Sequence, residues 1–192
     1  MLDTLLFETI KIEDGLISNI HWHNQRCNRS RKTLFNSQDD INLEAFIRAP
    51  QKGLYRCRIV YNDKIQSIEY IPYQAKKINR IKIIKSQINY AYKYNNRDEL
   101  TQLLKKEYDD IIIEKDGFLT DTSIANIAFY SNSKWITPKK PLLRGTFREK
   151  LLEKNFLILK DIKKEEIKYF SHFALMNAMI GFQIQKNIHI QL

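Results

Sequence analysis

Two Asp-Gly dipeptides, Asp14-Gly15 and Asp116-Gly117, each sit between apolar, β-branched stretches, and they narrow the fold more than any other feature of the chain. Asp-Gly in that setting favours a two-residue turn with both central residues at positive φ, which joins antiparallel neighbours. The first turn predicts a hairpin of residues 5–12 with residues 16–20. The second predicts another, entered by Ile111-Ile112-Ile113 and left through Leu119. Beyond it, Thr120-Asp121-Thr122-Ser123 precedes residues 124–130, an apolar strand that reads as buried and carries Asn126. Polar groups at such a place must be hydrogen-bonded or they cost stability, so this cluster needs partners.

Elsewhere the periodicity predicts helices over 22–35 and 41–47, then a strand over 54–61 turned by Asn62-Asp63-Lys64 into a second over 65–71. Residues 72–79 are polar and begin with a proline, as an interdomain linker would. Further strands are expected at 81–84 and 156–159, helices at 99–106 and 146–154, and a charged turn or short helix at 163–166. Closing strands are expected at 173–182 and 184–190. The fold class is therefore α+β: a small α+β lobe over 1–74 and a larger β-rich lobe over 79–192.

The 192 residues carry a net charge of +10, which raises nucleic acid or an anionic small molecule as partners. Lys and Arg are spread along the chain, however, and no nucleic-acid-binding signature accompanies them. Solvated faces are the first explanation, and a basic nucleic-acid-binding module is the minority one. Cys27 and Cys57 make neither a disulfide framework nor a zinc site and read as reduced thiols. There is no apolar run of membrane-spanning length and no signal-peptide pattern at the start, so a cytoplasmic protein is expected.

Four places could carry chemistry. Lys93 lies in Tyr92-Lys93-Tyr94, where aromatic neighbours could desolvate the amine and make it a nucleophile; a lone lysine is more often a surface charge. Gly145-Thr146-Phe147-Arg148 stands before an amphipathic helix, where free N–H groups favour an anion, although ordinary capping looks the same. Asp121 is either a turn aspartate or a fixed negative charge for a cationic ring nitrogen. His23 and Arg26, three apart on a predicted helix, are either surface charge or a fork for phosphate. No metal-ligand spacing and no nucleophile elbow are present.

In order along the chain, Phe7-Glu8-Thr9-Ile10, His23-Asn24-Gln25-Arg26, Lys93 with Asn96-Arg97, and Gly117-Phe118-Leu119-Thr120-Asp121 with Asn126-Ile127 form a series. Thr137-Pro138, Gly145-Thr146-Phe147-Arg148 and Asn177-Ala178-Met179 complete it. The series resembles the class IV, or fold-type IV, aminotransferases, which use pyridoxal 5′-phosphate (PLP). The likeness covers nearly the whole chain and implies a two-lobed fold with a barrel-like second lobe, the cofactor between the lobes, and a homodimer. It implies Lys93 as the lysine that takes the cofactor covalently and then moves protons. Arg26, the backbone at Thr146 and Phe147, and Asn177 or Ala178 would bind phosphate, and Asp121 would hold the ring nitrogen protonated. The family usually has Glu at that last position.

Asn96-Arg97-Asp98 after the lysine, and Asn177-Ala178-Met179, are similar to the 4-amino-4-deoxychorismate lyase branch. The chain is shorter than typical members and is expected to start inside the usual first lobe. The resemblance therefore implies a lyase releasing 4-aminobenzoate and pyruvate, or an amino-acid aminotransferase. A catalytically degenerate member is the alternative.

Overall fold

The computed structural model describes residues 4–191, and the chain divides into two compact units. Unit 1 is Met1–Ala75 with Tyr92–Asn96, and unit 2 is Lys76–Ala91 with Arg97–Leu192.

In unit 1, β1 (Leu6–Glu13), β2 (Leu16–Ile17), α1 (Ile20–Phe35), β3 (Leu54–Tyr61) and β4 (Ile65–Pro72) follow in order. The strands form one antiparallel sheet, β2-β1-β3-β4. Asp14 and Gly15 take φ of 47° and 81°, the turn that Asp-Gly predicts. Along β1 the fully enclosed residues are Leu6, Glu8, Ile10 and Ile12, which share one face by the strand's period of two. Glu8 thus occupies a core register. The buried face of α1 is also polar: His23, Arg26, Cys27, Ser30 and Arg31 recur at helical spacing. Arg31 is satisfied by donating to the carbonyls of Asp63 and Asp39. The helix expected at 41–47 is only a 3-10 turn, Leu43–Phe46, because the Asn42 side chain accepts the Glu44 N–H and Ile47 is already extended.

Unit 2 contains β5 (Arg80–Lys85), α2 (Asp98–Leu103), β6 (Asp110–Lys115), β7 (Phe118–Thr122), β8 (Asn126–Ser131) and β9 (Lys134–Pro138). Then come α3 (Thr146–Glu153), β10 (Leu157–Lys160), β11 (His172–Asn177), β12 (Gly181–Gln185) and β13 (His189–Gln191). They make a nine-stranded sheet, β10-β9-β8-β7-β6-β5-β13, from which β11 and β12 branch at β8. The fork opens at Asn126, whose neighbours are Asp121 on β7 and Met176 on β11. Ile81, Ile112, Leu119, Ile127, Phe129 and Leu175 form the core on this sheet. The single strand expected over 173–182 is instead the β11–β12 hairpin. Asn177 accepts the N–H of Met179 at 2.9 Å and of Ile180 at 3.0 Å, and that side-chain turn reverses the chain.

Candidate active site

Unit 1 places a carboxylate in its core and surrounds it with bases. Arg26 donates from Nε to Glu8 Oε1 at 2.8 Å and from Nη2 to Oε2 at 2.5 Å, a two-point fork. His23 Nδ1 is 2.5 Å from the same Oε2, which makes the Nδ1–H tautomer the donor. His23 and Arg26 are 0% and 7% exposed, so neither is the surface charge that their helical spacing also allowed. Burial pushes the Glu8 carboxyl up, but the Arg26 charge and the His23 and Arg26 hydrogen bonds outweigh it and hold it at about 2. His23 is lowered from its ordinary value, chiefly by burial, against the opposing pull of Glu8.

Phe7, on the opposite face of β1, organises the lysine. Its N–H donates to the Lys93 carbonyl at 3.0 Å, and Asn95 N–H donates to the Leu5 carbonyl at 2.8 Å, so residues 93–95 run as a short partner of β1. Lys93 Nζ lies 4.5 Å from the Phe7 ring centre, and the Arg58 guanidinium sits 4.8 Å from it. The aromatic partner of Lys93 is thus remote in sequence, whereas Tyr92 and Tyr94 stack edge-on with each other and pack against the unit 1 core. Lys93 itself is half-buried.

Unit 2 holds Asp121 at 4% exposure, on β7 where the sheet forks. Its Oδ1 accepts from Asn126 Nδ2 at 2.7 Å and its Oδ2 from the Leu143 N–H at 2.8 Å. Burial pushes the carboxyl up to about 6, because these donors, aided by the Arg148 charge, offset only part of the lost hydration. The polar crowd in the sequence around Asp121 is satisfied locally: Thr120 Oγ1 donates to Ile113 O, and Thr122 Oγ1 accepts the Ala125 N–H. Gly145 begins α3 in extended conformation and, having no side chain, supplies no side-chain cap at the helix start. Thr146 is buried, and Phe147 is half-buried against the cluster of Ala128, Leu157 and Met176. Asn177 spends its side-chain oxygen on the hairpin turn and donates from Nδ2 to Ile124 O at 3.2 Å.

The predicted residues thus fall into two sets, Arg26 and Lys93 in unit 1 and Asp121, Thr146, Phe147 and Asn177 in unit 2. Two residues that residue-by-residue inspection undervalued are Glu8 and Asn126. A lone acid in the apolar register of β1, followed by His and Arg three apart, was the available signal for Glu8. A cavity of about 250 Å³ in unit 2, lined by Tyr90, Lys115, Thr120, Lys140 and Leu142 among others, includes none of the predicted site residues. Among the described residues no cluster of His, Cys, Asp and Glu could hold a metal, and no helix is long and apolar enough to cross a membrane.

Residues 5–188 match the family model described as amino-transferase class IV. An uncharacterized protein of Haemophilus influenzae is 39% identical over 184 residues, 92% of this chain and 98% of that protein. A crystal structure named as a "putative 4-amino-4-deoxychorismate lyase" from Haemophilus somnus is 38% identical, with a TM-score of 0.83 over 94% of this chain and 99% of that one. The PLP-bound form of a hypothetical aminotransferase from Mycobacterium tuberculosis shares the fold at a TM-score of 0.77 and 16% identity, covering 97% of this chain and 81% of that one.

Proposed function

The chain belongs to the amino-transferase class IV family, of PLP-dependent enzymes with the fold-type IV architecture, and from that premise we propose that it is a cytoplasmic, homodimeric 4-amino-4-deoxychorismate lyase. The choice of lyase rests on the similarity to the Haemophilus somnus protein and on Asn96-Arg97 following the lysine. The observation that carries the cofactor assignment is Asp121: a buried carboxylate whose hydrogen-bond donors, the Asn126 amide and the backbone at Leu143 and Leu142, are all neutral. Such a group fits a cationic ring nitrogen, which would bring its acidity back toward normal. The donor set fits the rest of PLP as well, with an amine over an aromatic ring at Lys93 and uncapped helix amides after Gly145.

Bound PLP supplies an electron sink for chemistry at the Cα of an amino substrate. Lys93 Nζ would hold the cofactor, yield to the substrate amine, take the proton from the carbon that bears that amine, and pass it to the departing three-carbon fragment that becomes pyruvate. Asp121 keeps the proton on the ring nitrogen. By the family pattern, the phosphate-binding roles fall to Arg26 in unit 1 and, within unit 2, to the amides of Thr146 and Phe147 at the start of α3 and the turn at Asn177. Glu8 holds Arg26 against His23.

Adding PLP to the purified protein should give the visible absorbance band of a lysine-bound cofactor, and Lys93→Ala should abolish it. A band unchanged in Lys93→Ala, or none in the wild type, makes the protein a degenerate member of its family. Aminodeoxychorismate should then yield 4-aminobenzoate and pyruvate. Amino transfer to a 2-oxo acid without 4-aminobenzoate would replace lyase by aminotransferase.

A further inference from the structure

The side chain at the fork of the nine-stranded sheet does more than fill space. Asn126 Nδ2 donates to Asp121 Oδ1 at 2.7 Å and to the Leu143 carbonyl at 2.8 Å, while the Leu143 N–H donates to Asp121 Oδ2 at 2.8 Å. Asp121, Asn126 and the Leu143 backbone therefore close a triangle in which the two donors and both carboxylate oxygens are engaged. Two residues past Leu143, Gly145 opens α3.

Gly145 has φ of −72° and ψ of 139°, a conformation open to any residue, so backbone freedom does not explain a glycine there. Space does. A Cβ on Gly145 would collide with Asn126 Oδ1, and that oxygen belongs to a short side chain already held by two hydrogen bonds. Asn126 and Gly145 are thus steric counterparts across the triangle.

We propose that Asn126 is a positioning residue that fixes the Asp121 carboxylate relative to the start of α3, with Gly145 admitting it. This rests on the PLP assignment above. PLP has a rigid ring, so its nitrogen and its phosphate arm impose a set separation on the groups that receive them. One side chain that ties the ring-nitrogen carboxylate to the loop leading into the phosphate amides sets that separation before the cofactor arrives, which lowers the ordering cost of binding.

The test uses the full chain with PLP and with pyridoxal, which lacks the phosphate, and compares wild type, Asn126→Ala, Gly145→Ala and the double variant. Asn126→Ala should lower the ratio of PLP to pyridoxal affinity by at least about tenfold, the size expected for hydrogen bonds that place a charged group. A purely structural role would weaken both ligands in parallel and leave the ratio alone. In thermal unfolding without ligand, Gly145→Ala should be strongly destabilising in the wild-type background and close to neutral in Asn126→Ala, where the space is vacant. If Gly145→Ala alone fails to fold, recovery of folded protein in the double variant reports the same coupling. A ratio within about twofold of wild type, or equal costs of Gly145→Ala in both backgrounds, overturns the proposal. Wild-type protein that binds neither ligand overturns the PLP assignment and this role with it, whereas wild-type binding beside an unchanged ratio in Asn126→Ala overturns this role alone.

Discussion

Glu8 and Asp121 are both strand carboxylates shut away from water, one in each unit, yet their acidities diverge: Glu8 is held at about 2 and Asp121 is pushed up to about 6. Desolvation is the largest influence on each and has the same sign. What differs is the neighbour in contact. Glu8 meets a guanidinium through two hydrogen bonds and an imidazole through a third. Asp121 meets a side-chain amide and backbone N–H groups, and the Arg148 charge acts on it through space while Arg148 donates to Pro138 O and Glu149. Neutral donors offset part of a buried charge's lost hydration, whereas a contacting cation reverses the balance. The first arrangement is complete in itself and builds unit 1. The second is suited to a cation from outside the chain.

Removing Glu8 should break the contrast most severely. Glu8→Ala leaves the Arg26 guanidinium buried without its counter-charge, and the expected loss in urea unfolding is about 3–5 kcal/mol. A loss below about 1 kcal/mol would mean that Arg26 finds water or another acceptor at no cost.

Titration should separate the two carboxylates next. The lowered pKa of Glu8 contributes stability, on the order of 3 kcal/mol, that is present above its unfolded value near pH 4 and is lost as pH falls from there through about 2. The gap between wild type and Glu8→Gln should therefore shrink below about pH 4. Asp121 has the opposite sign: its raised pKa costs stability above about pH 6, and the cost is relieved as the folded state takes up a proton between about 6 and 4. Without ligand, wild type should gain on Asp121→Asn over that interval, as unfolding at several pH values would show. A wild type that loses ground instead would place a cation on Asp121 already.

The smallest effect is at His23. Its lowered pKa keeps the imidazole neutral, with the proton on Nδ1 facing Glu8, so its NMR signals should not move as pH drops through about 6.5. Protonation of the unfolded chain over that range then removes a little stability. A full imidazolium shift near the ordinary value would contradict the tautomer inferred from the 2.5 Å contact.

The parts of the fold that were legible in the chain are the ones set by neighbours in sequence. Asp14-Gly15 and Asp116-Gly117 form their positive-φ turns, and the strands flanking them lie where period and β-branching place them, except that the one expected over 16–20 stops at Ile17 because α1 starts at Ile20. Expectations failed where a polar side chain intervened. Asn42 ends a helix before it nucleates, and Asn177 folds one apolar run into a hairpin, and neither effect alters the hydrophobic period. In the candidate site, Lys93, Asp121 and the Gly145 turn were visible as an ordered series of motifs. The Phe7 ring over Lys93 was not, because it reaches the lysine from 86 residues away in the chain.

By itself, the amino-acid sequence determined the antiparallel frame, the long helix of unit 1 and the family, since backbone preference, period and motif order are local or linear properties. Tertiary structure alone decided which charges are buried, that Glu8 and not solvent receives Arg26 and His23, and that Gly145 makes room for Asn126. Coulomb attraction, desolvation and steric fit depend on distances in space, and the residues that set them here lie between 5 and 19 positions apart along the chain.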